Sequence, residues 1–269
     1  MIKSPTEKLI AEKDGAIGWL TFNNPARRNA LSIDMWEGIP TVIHQFEQDD
    51  DIRVIVLRGT VEAKAFISGA DISEFEKRRA SNKDAAGYNE TSANAFGSVE
   101  HCQKPTIAMI QGYCLGGGLA FANMCDMRLA SENSRFSIPA AKLGLGYGWT
   151  GVKKLVDLVG PAFAKEIFLT ARQFNAAEAL AMGLINRVLP DGELEAFTRS
   201  YCAMIAENAP LTMKAIRVAA DELGRPDGKV DAAKLDALVA ACFDSADYKE
   251  GRNAFLEKRK PQWQIDMEN

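Results

Sequence analysis

Histidine is almost missing from this chain: His44 and His101 are the only two among 269 residues. With no CxxC pair and no Cys/His cluster, nothing at metal-ligand spacing offers a metal centre. A disulfide framework is missing as well. Cys102, Cys114, Cys125, Cys202 and Cys242 are odd in number, and three sit in small, apolar surroundings where a reduced, buried thiol is the usual state. That pattern belongs to a reducing compartment, with the cytoplasm expected. No apolar run of roughly 18 residues occurs, so no transmembrane helix is expected. Residues 1–13 carry no apolar core of a secretory leader. A surplus of positive charge is lacking too: the formal net charge is −4, unlike the basic face that binds nucleic acid. Cations gather only locally, near Lys77 and near Lys258. Neither a nucleic acid nor a membrane is therefore an expected partner.

What is present is an ordinary globular composition, 47% hydrophobic and 25% charged, over a length that can bury a large core without staples. Asp14-Gly15 between apolar residues 10–13 and 17–22 predicts a hairpin, which Asn23-Asn24-Pro25 ends. Ser32 is placed to cap a helix over 33–47 with Met35, Ile39, Ile43 and Phe46 on one face. Pro40 inside it predicts a kink or a break. Buried strands read at 52–57, 66–67, 106–110 and 127–130, with a small-residue helix at 118–125. Residues 71–79 read as helical and the polar run 80–94 as a mobile loop or lid. From 151 onward the pattern is helical: 151–159, 163–169 and 176–182, the last capped by Asn175. After a strand-like 184–189 come helices at 193–207, 211–223, 231–244 and 249–259. Strands alternating with helices predict an α/β fold with a mainly parallel sheet. The expected division is an α/β core over 1–189 and a helical C-terminal region over 190–269, with no internal repeat in the sequence.

Two segments share one design: an apolar strand, glycines, then a helix start. In Phe66-Ile67-Ser68-Gly69-Ala70-Asp71-Ile72 the turn exposes the amide of Ala70. In Gln111-Gly112-Tyr113-Cys114-Leu115-Gly116-Gly117-Gly118 the amide of Gly117 sits at the mouth of a helix. N–H groups at a helix start lack intrahelical acceptors and favour an anion. Glycine lets a ligand come close to the backbone. Two such donors converging on one carbonyl oxygen make an oxyanion hole. Plain turn geometry, or helix–sheet packing at the three glycines, would leave the same residues, and neither segment has phosphate-loop or GxGxxG spacing.

Asn24-Pro25-Ala26-Arg27-Arg28-Asn29-Ala30-Leu31, Ser68-Gly69-Ala70-Asp71-Ile72 and Gly112-Tyr113-Cys114-Leu115-Gly116-Gly117-Gly118 resemble, in order and spacing, the three hallmark motifs of the crotonase (enoyl-CoA hydratase/isomerase) superfamily. Ala179-Leu180-Ala181-Met182-Gly183-Leu184-Ile185-Asn186-Arg187-Val188 and residues 249–260 are similar to its later landmarks, so the resemblance spans nearly the whole chain. It implies a crotonase-like spiral of ββα units with a helical C-terminal trimerisation region, assembled as a homotrimer or homohexamer. It implies an acyl-CoA thioester as ligand, with coenzyme A part of the substrate, no tightly bound cofactor and no metal. The thioester oxygen would be held by the N–H groups of Ala70 and Gly117. Ser68, Ala70, Asp71, Ile72 and Ser73 would line the pantetheine and adenine side, with Arg28 nearby. Phe255 and Lys258 match positions that contact CoA, Lys258 by pairing with a phosphate. Without the resemblance, Lys258 reads as a solvated charge on a basic helix.

A hydratase of this family uses two glutamates to activate water and to handle the α-carbon proton. Their motif positions here are Ala120, in Gly118-Leu119-Ala120, and Ala140, in Phe136-Ser137-Ile138-Pro139-Ala140. Alanine transfers no proton, so hydration and ordinary double-bond isomerisation both lose their acid–base groups. Residues 143–151 follow directly and would face the acyl end. Tyr147 there resembles, in position, a tyrosine of the methylmalonyl-CoA decarboxylase branch; a core or rim tyrosine is the plainer reading. Glu74 reads as solvent-facing, Asp71 as a backbone-orienting landmark, and Asp126 as a structural carboxylate at a strand start. A Ser–His–Asp site at Ser68 or Ser98 has no histidine at supporting spacing. The sequence thus points to an acyl-CoA enzyme of the enoyl-CoA hydratase/isomerase type with altered proton handling. The alternatives are a decarboxylase-like lyase for a malonyl-type thioester and a non-catalytic acyl-CoA-binding protein.

Overall fold

A strand buried along its whole length has to be covered on both faces. Thr106–Ile110 (β5) is such a strand, and Val54–Gly59 (β3) is buried from Val54 to Leu57. In the computed structural model, which describes residues 2–74, 82–224 and 228–263, both lie inside a six-stranded sheet. Its other strands are Leu9–Asp14 (β1), Ile17–Phe22 (β2), Met127–Ser131 (β7) and Arg187–Leu189 (β10), and the order is β1-β2-β3-β5-β7-β10. A second sheet orders Ala65–Ile67 (β4), Tyr113–Leu115 (β6), Arg135–Ser137 (β8) and Phe174–Asn175 (β9) side by side. β1 with β2 and β8 with β9 are antiparallel; the remaining pairs are parallel, so both sheets are mixed.

From β3 to β8 successive strands go to alternate sheets: β3, β5 and β7 to the larger, β4, β6 and β8 to the smaller. Each strand pair is followed by a helix, Ile33–Glu47 (α1), Asn82–Glu100 (α2), Gly117–Ala122 (α3) and Trp149–Thr170 (α4) in turn. This is the expected spiral of ββα units. The repeat is one of topology with unlike side chains in each turn, which is why the sequence shows none. Asp126 joins the starts of two strands, its carboxylate accepting from Thr106 N at 2.7 Å and Thr106 Oγ1 at 3.0 Å.

The stretch expected as a loop over 80–94 lies within α2 instead, from Asn82 on. Tyr88, Ser92, Ala95 and Val99 are buried at helical spacing, a single thin stripe that a polar composition hides. That stripe packs on α1 through edge-to-face contacts of Trp36 with Tyr88 and Phe96. The helix expected over 71–79 is one 3₁₀ turn, Ile72–Glu74, as far as it is described. Residues 75–81, including the basic segment at Lys77, and the side chain of Glu74 lie outside the described residues. α1 runs unbroken through Pro40. Ser32 stands at its start without capping it, because its hydroxyl donates to Asp34 and accepts from Lys8 Nζ. The two helices expected at 151–159 and 163–169 are the halves of α4, which departs from helical geometry at Gly160.

Contacts within the chain group it into residues 1–199 and 200–269. The first unit holds both sheets and Ala176–Ala181 (α5), whose start carries a full capping box between Asn175 and Glu178. Leu194–Ala206 (α6) straddles the division. The second unit is built on Pro210–Leu223 (α7), Ala232–Asp244 (α8) and Ala246–Leu256 (α9). Asp231 and Ser245 cap α8 and α9 by accepting from Lys234 N and Tyr248 N. Its C-terminal segment folds back on its own helices: Arg259 pairs with Glu250 at 2.6 Å, and Trp263 Nε1 donates to Glu207 O at 2.7 Å.

Candidate active site

The first arm leaves β4 through Ser68-Gly69-Ala70-Asp71. Leu31 N donates to Gly69 O at 2.8 Å, and Asp71 N donates to Leu31 O at 3.0 Å. These two bonds flank Ala70 in a parallel bridge. In such a bridge the middle residue turns its own N–H to the opposite side. The second arm comes close to the same nitrogen: a Cβ placed on Gly117 would sit 3.5 Å from it. Gly117 is the first residue of α3, so its N–H has no intrahelical acceptor. Two backbone donors therefore border one small space.

The three consecutive glycines of the second arm have three different surroundings. Gly116 has φ +52° and ψ −118°, a backbone conformation that side-chain-bearing residues rarely adopt. Gly118 is pressed on β4, where an added Cβ would meet Ile67 O at 2.3 Å. A Cβ on Gly117 would make only ordinary contacts, with the Ala70 nitrogen, Gly69 and Trp36. Packing on β4 explains Gly118 and does not explain Gly117.

The Asn24–Leu31 turn buttresses the first arm. Ser68 N donates to Arg28 O at 3.2 Å and Ser68 Oγ to Arg27 O at 3.1 Å. Asn29 is fully buried with φ +56°; its amide donates to Ala65 O at 2.9 Å and its carbonyl accepts from Asn24 N at 2.8 Å. Asn29 belongs to the motif, and its lock on β4 is visible only in three dimensions. Arg28 is exposed, with its guanidinium 5.3 Å from the Tyr113 ring. Asp71 accepts from Ser73 N at 3.0 Å and Ser73 Oγ at 2.6 Å, so it orders its own turn. Ile72 and Ser73 are exposed beside it.

Beside Gly117 lies an aromatic wall that sequence reading missed. Trp36 Cζ2 would be 3.8 Å from a Cβ on Gly117, and Trp36 Nε1 donates to Tyr88 Oη at 2.9 Å. Phe121 meets Trp36 edge-on at 6.0 Å. Burying the indole costs little because its one donor is satisfied.

The two expected acid positions are both buried methyls, Ala120 in α3 and Ala140 in the 3₁₀ turn Pro139–Leu143, each 7% exposed. Gly116 N donates to Ser137 O at 2.7 Å, which brings the Ala140 turn against the second arm. Ala140 opens onto a cavity of about 400 Å³ shared with Tyr147, Val156, Ala164 and Phe168. No carboxylate of the described residues lines it. The Tyr147 ring lies edge-on to Phe168 at 4.8 Å, and burial pushes its phenol up to about 12, so it stays protonated at neutral pH.

Phe255 and Lys258 belong to the second unit: Phe255 is near the end of α9 and 84% exposed, and Lys258 is exposed just beyond it with φ +55°. The hydroxyls of Ser68 and Ser98 are spent on the carbonyls of Arg27 and Ala95 rather than on an imidazole. Among the described residues no group of three or more His, Cys, Asp or Glu could hold a metal ion, and no helix is long and apolar enough to cross a membrane.

The chain is similar to known proteins over nearly its whole length. The enoyl-CoA hydratase/isomerase family model matches residues 12–266. A short-chain-enoyl-CoA hydratase of Clostridium acetobutylicum is 34% identical over 94% of this chain and 95% of its own length. A crotonyl-CoA hydratase of Syntrophomonas wolfei is 33% identical over 94% and 96%. Among solved structures, an enoyl-CoA hydratase/carnithine racemase from Magnetospirillum magneticum superposes with a TM-score of 0.93 at 35% identity, covering 98% of this chain and 97% of that one.

Proposed function

The chain belongs to the enoyl-CoA hydratase/isomerase (crotonase) family, and from that premise we propose an acyl-CoA enzyme that stabilises a thioester enolate without a carboxylate acid–base pair. The family acts on CoA thioesters. The observation that carries the finer reading is the apposition of Gly117 to the Ala70 nitrogen. A thioester oxygen seated between those N–H groups gains charge as the enolate forms, and donors fixed in advance favour that change. Ala120 and Ala140 stand where the hydratases' glutamates would act, so water has no general base from either position.

On the same reading Ser68, Asp71, Ile72, Ser73 and Arg28 take the pantetheine and nucleotide side. Phe255 and Lys258 contact CoA, the 190–269 region forms the subunit interface of a trimer or hexamer, and the enzyme works in the cytoplasm. Lys258→Ala is expected to weaken a CoA thioester by about tenfold more than a pantetheine thioester lacking the nucleotide, because a lysine–phosphate pair acts at the far end of the ligand. Calorimetry with both ligands checks this, and equal losses would remove Lys258 from the site.

A second reading, a decarboxylating lyase, is favoured by Tyr147 and the apolar walls around it. In a malonyl-type thioester the bond from Cα to the carboxylate breaks, carbon dioxide leaves, and the electron pair stays in the enolate. No base is needed. A proton from Tyr147 or water then reaches Cα, and a tyrosinate so formed is reprotonated from solvent. Apolar Ala120 and Ala140 would not repel the substrate carboxylate as glutamates would. Methylmalonyl-CoA or ethylmalonyl-CoA is expected to lose carbon dioxide, at least about tenfold more slowly in Tyr147→Phe, a barrier change of about 1.4 kcal/mol. Mass spectrometry of the thioester reads the outcome. Substrate intact after hours with stoichiometric enzyme, or a fully active Tyr147→Phe, would remove this reading.

A further inference from the structure

The helix that opens at Gly117 ends against a buried arginine. Arg128, in β7 and 4% exposed, donates from Nη1 to Cys125 O at 2.8 Å and to Ala122 O at 3.5 Å, and from Nε to Leu184 O at 2.8 Å. Ala122 is the last residue of α3, and Cys125 lies in the bend between α3 and β7. Carbonyls at a helix C-terminus lack intrahelical donors and carry partial negative charge, so a guanidinium is stabilising there. Asn186 fixes the same residue from the neighbouring strand's approach: its Oδ1 accepts from Arg128 N at 2.8 Å, and its N donates to Arg128 O at 2.8 Å.

Among the described residues the guanidinium donates to main-chain carbonyls and pairs with no carboxylate. Burial draws its pKa below the usual arginine value, yet an arginine keeps its proton in a folded protein. The groups around it leave most of that charge standing. Cys114 and Cys125 are buried thiols whose pKa values burial raises, Cys125 to about 12, so both are neutral. Lys154 is offset by Glu100 at 2.8 Å. Asp126 opposes part of the charge, but it is half-buried and turned to Thr106. Neutral donors could cap the same carbonyls without a buried charge, so capping alone does not account for an arginine.

The path from this charge to the hole is short and dry. The six residues of α3 span about 9 Å, and those from Gly118 to Ala122 are buried. An oxygen seated at the Gly117 N–H then lies on the order of 15 Å from the guanidinium, with the helix between them. Across protein with an effective dielectric constant of about 20, a unit charge at that distance favours an anion by a factor of about six. A neutral thioester gains little from it and an enolate gains the whole, which is the condition for lowering a barrier. We propose that Arg128 is a positioning residue for the enolate: it fixes the far end of α3 and sets a positive charge behind the Gly117 donor. The proposal rests on the oxyanion-hole reading above.

Acetoacetyl-CoA tests it. This β-keto thioester ionises at Cα to an enolate that absorbs in the near ultraviolet, with no acid or base required from the protein. A pH titration of the bound thioester reads its apparent pKa. Arg128→Met fills a similar volume without charge and is expected to raise that pKa by about 0.8, the sixfold loss of enolate. Arg128→Lys is expected to recover most of the shift, because the ammonium keeps the charge and loses only the fork. Butanoyl-CoA, which does not ionise, is expected to bind all three proteins within about twofold. Asn186→Asp keeps the acceptor for Arg128 N and adds a carboxylate beside it. It is expected to raise the enolate pKa by about 0.3 at low ionic strength, and it carries the test if Arg128→Met does not fold. An unchanged enolate pKa in folded Arg128→Met, or failing that in Asn186→Asp, overturns the proposal. So does an Arg128→Lys protein that behaves as Arg128→Met does, which would leave Arg128 a structural clamp. A bound acetoacetyl-CoA no more acidic than the free thioester overturns the oxyanion hole, and failure of both thioesters to bind overturns the acyl-CoA reading itself.

Discussion

Crotonyl-CoA hydration by the unmodified protein is expected to be at least about a hundredfold slower than by an Ala120→Glu/Ala140→Glu double variant, since one positioned acid–base group is commonly worth roughly 10²–10⁴ in rate. Water adds to an enoyl thioester only when something takes its proton and something delivers a proton to the α-carbon. Ala120 and Ala140 can do neither. Both sites are nearly fully buried, which would raise the pKa of an introduced glutamate toward the range useful for proton transfer. The same burial makes an unpaired carboxylate destabilising, by roughly 1–3 kcal/mol even with partial compensation. Ala140 opens onto the α4 cavity and has room for the longer side chain. Ala120 lies within α3 among buried neighbours and is the tighter of the two. Thermal unfolding of the variants therefore accompanies the assay. The loss of enoyl-thioester absorbance gives the rate. Fast hydration by the unmodified protein would mean that an acid elsewhere in the chain serves the water, and the missing-acid argument would fall.

Much of this was legible in the chain because the fold is written in strands whose burial leaves no choice of partner. The apolar runs at β3 and β5, the Asp14-Gly15 turn and the Asn175 cap each specify themselves locally. The glycine arms were legible because each arm needs glycine for a reason that sequence can hint at. Which glycine served which reason was not legible, since a Cβ clash with Ile67 at Gly118 and mere van der Waals contact at Gly117 are facts of tertiary packing. The helix over Asn82–Glu100 was missed because its buried stripe is one residue wide, and its stability comes from the aromatic contacts with Trp36 rather than from its own composition. The Trp36–Tyr88 bond and the Gly151–Tyr147 contact join residues 52 and four positions apart by side-chain shape alone. No spacing rule announces either one. Asn29 lies between these cases: its place in a motif was readable, its lock on Ala65 was not.

Gly117→Pro is expected to lower the rate of enolate-forming chemistry by roughly 10²–10³, the effect of losing one oxyanion-hole donor. Methylmalonyl-CoA decarboxylation, or crotonyl-CoA hydration in the Ala120→Glu/Ala140→Glu background, supplies the assay. Proline suits the position for three reasons. Gly117 opens α3, and the first helical residue tolerates proline because its N–H has no partner within the helix. The preceding Gly116 has ψ −118°, away from the helical region that a following proline disfavours. The nearest heavy atom to an added Cβ is the Ala70 nitrogen at 3.5 Å, an ordinary contact. Gly117→Ala adds the same Cβ and keeps the N–H, so the two variants differ in the donor and in the ring Cδ that replaces its hydrogen. A readout independent of turnover comes from a thioester carrying ¹³C at the carbonyl. Two hydrogen bonds to its oxygen draw electron density from the carbon and move the resonance downfield on binding. That shift is expected to persist in Gly117→Ala and to shrink in Gly117→Pro. A folded Gly117→Pro protein with the rate and the carbonyl shift of Gly117→Ala would mean that the Gly117 amide does not face the thioester, and the oxyanion hole would have to be abandoned.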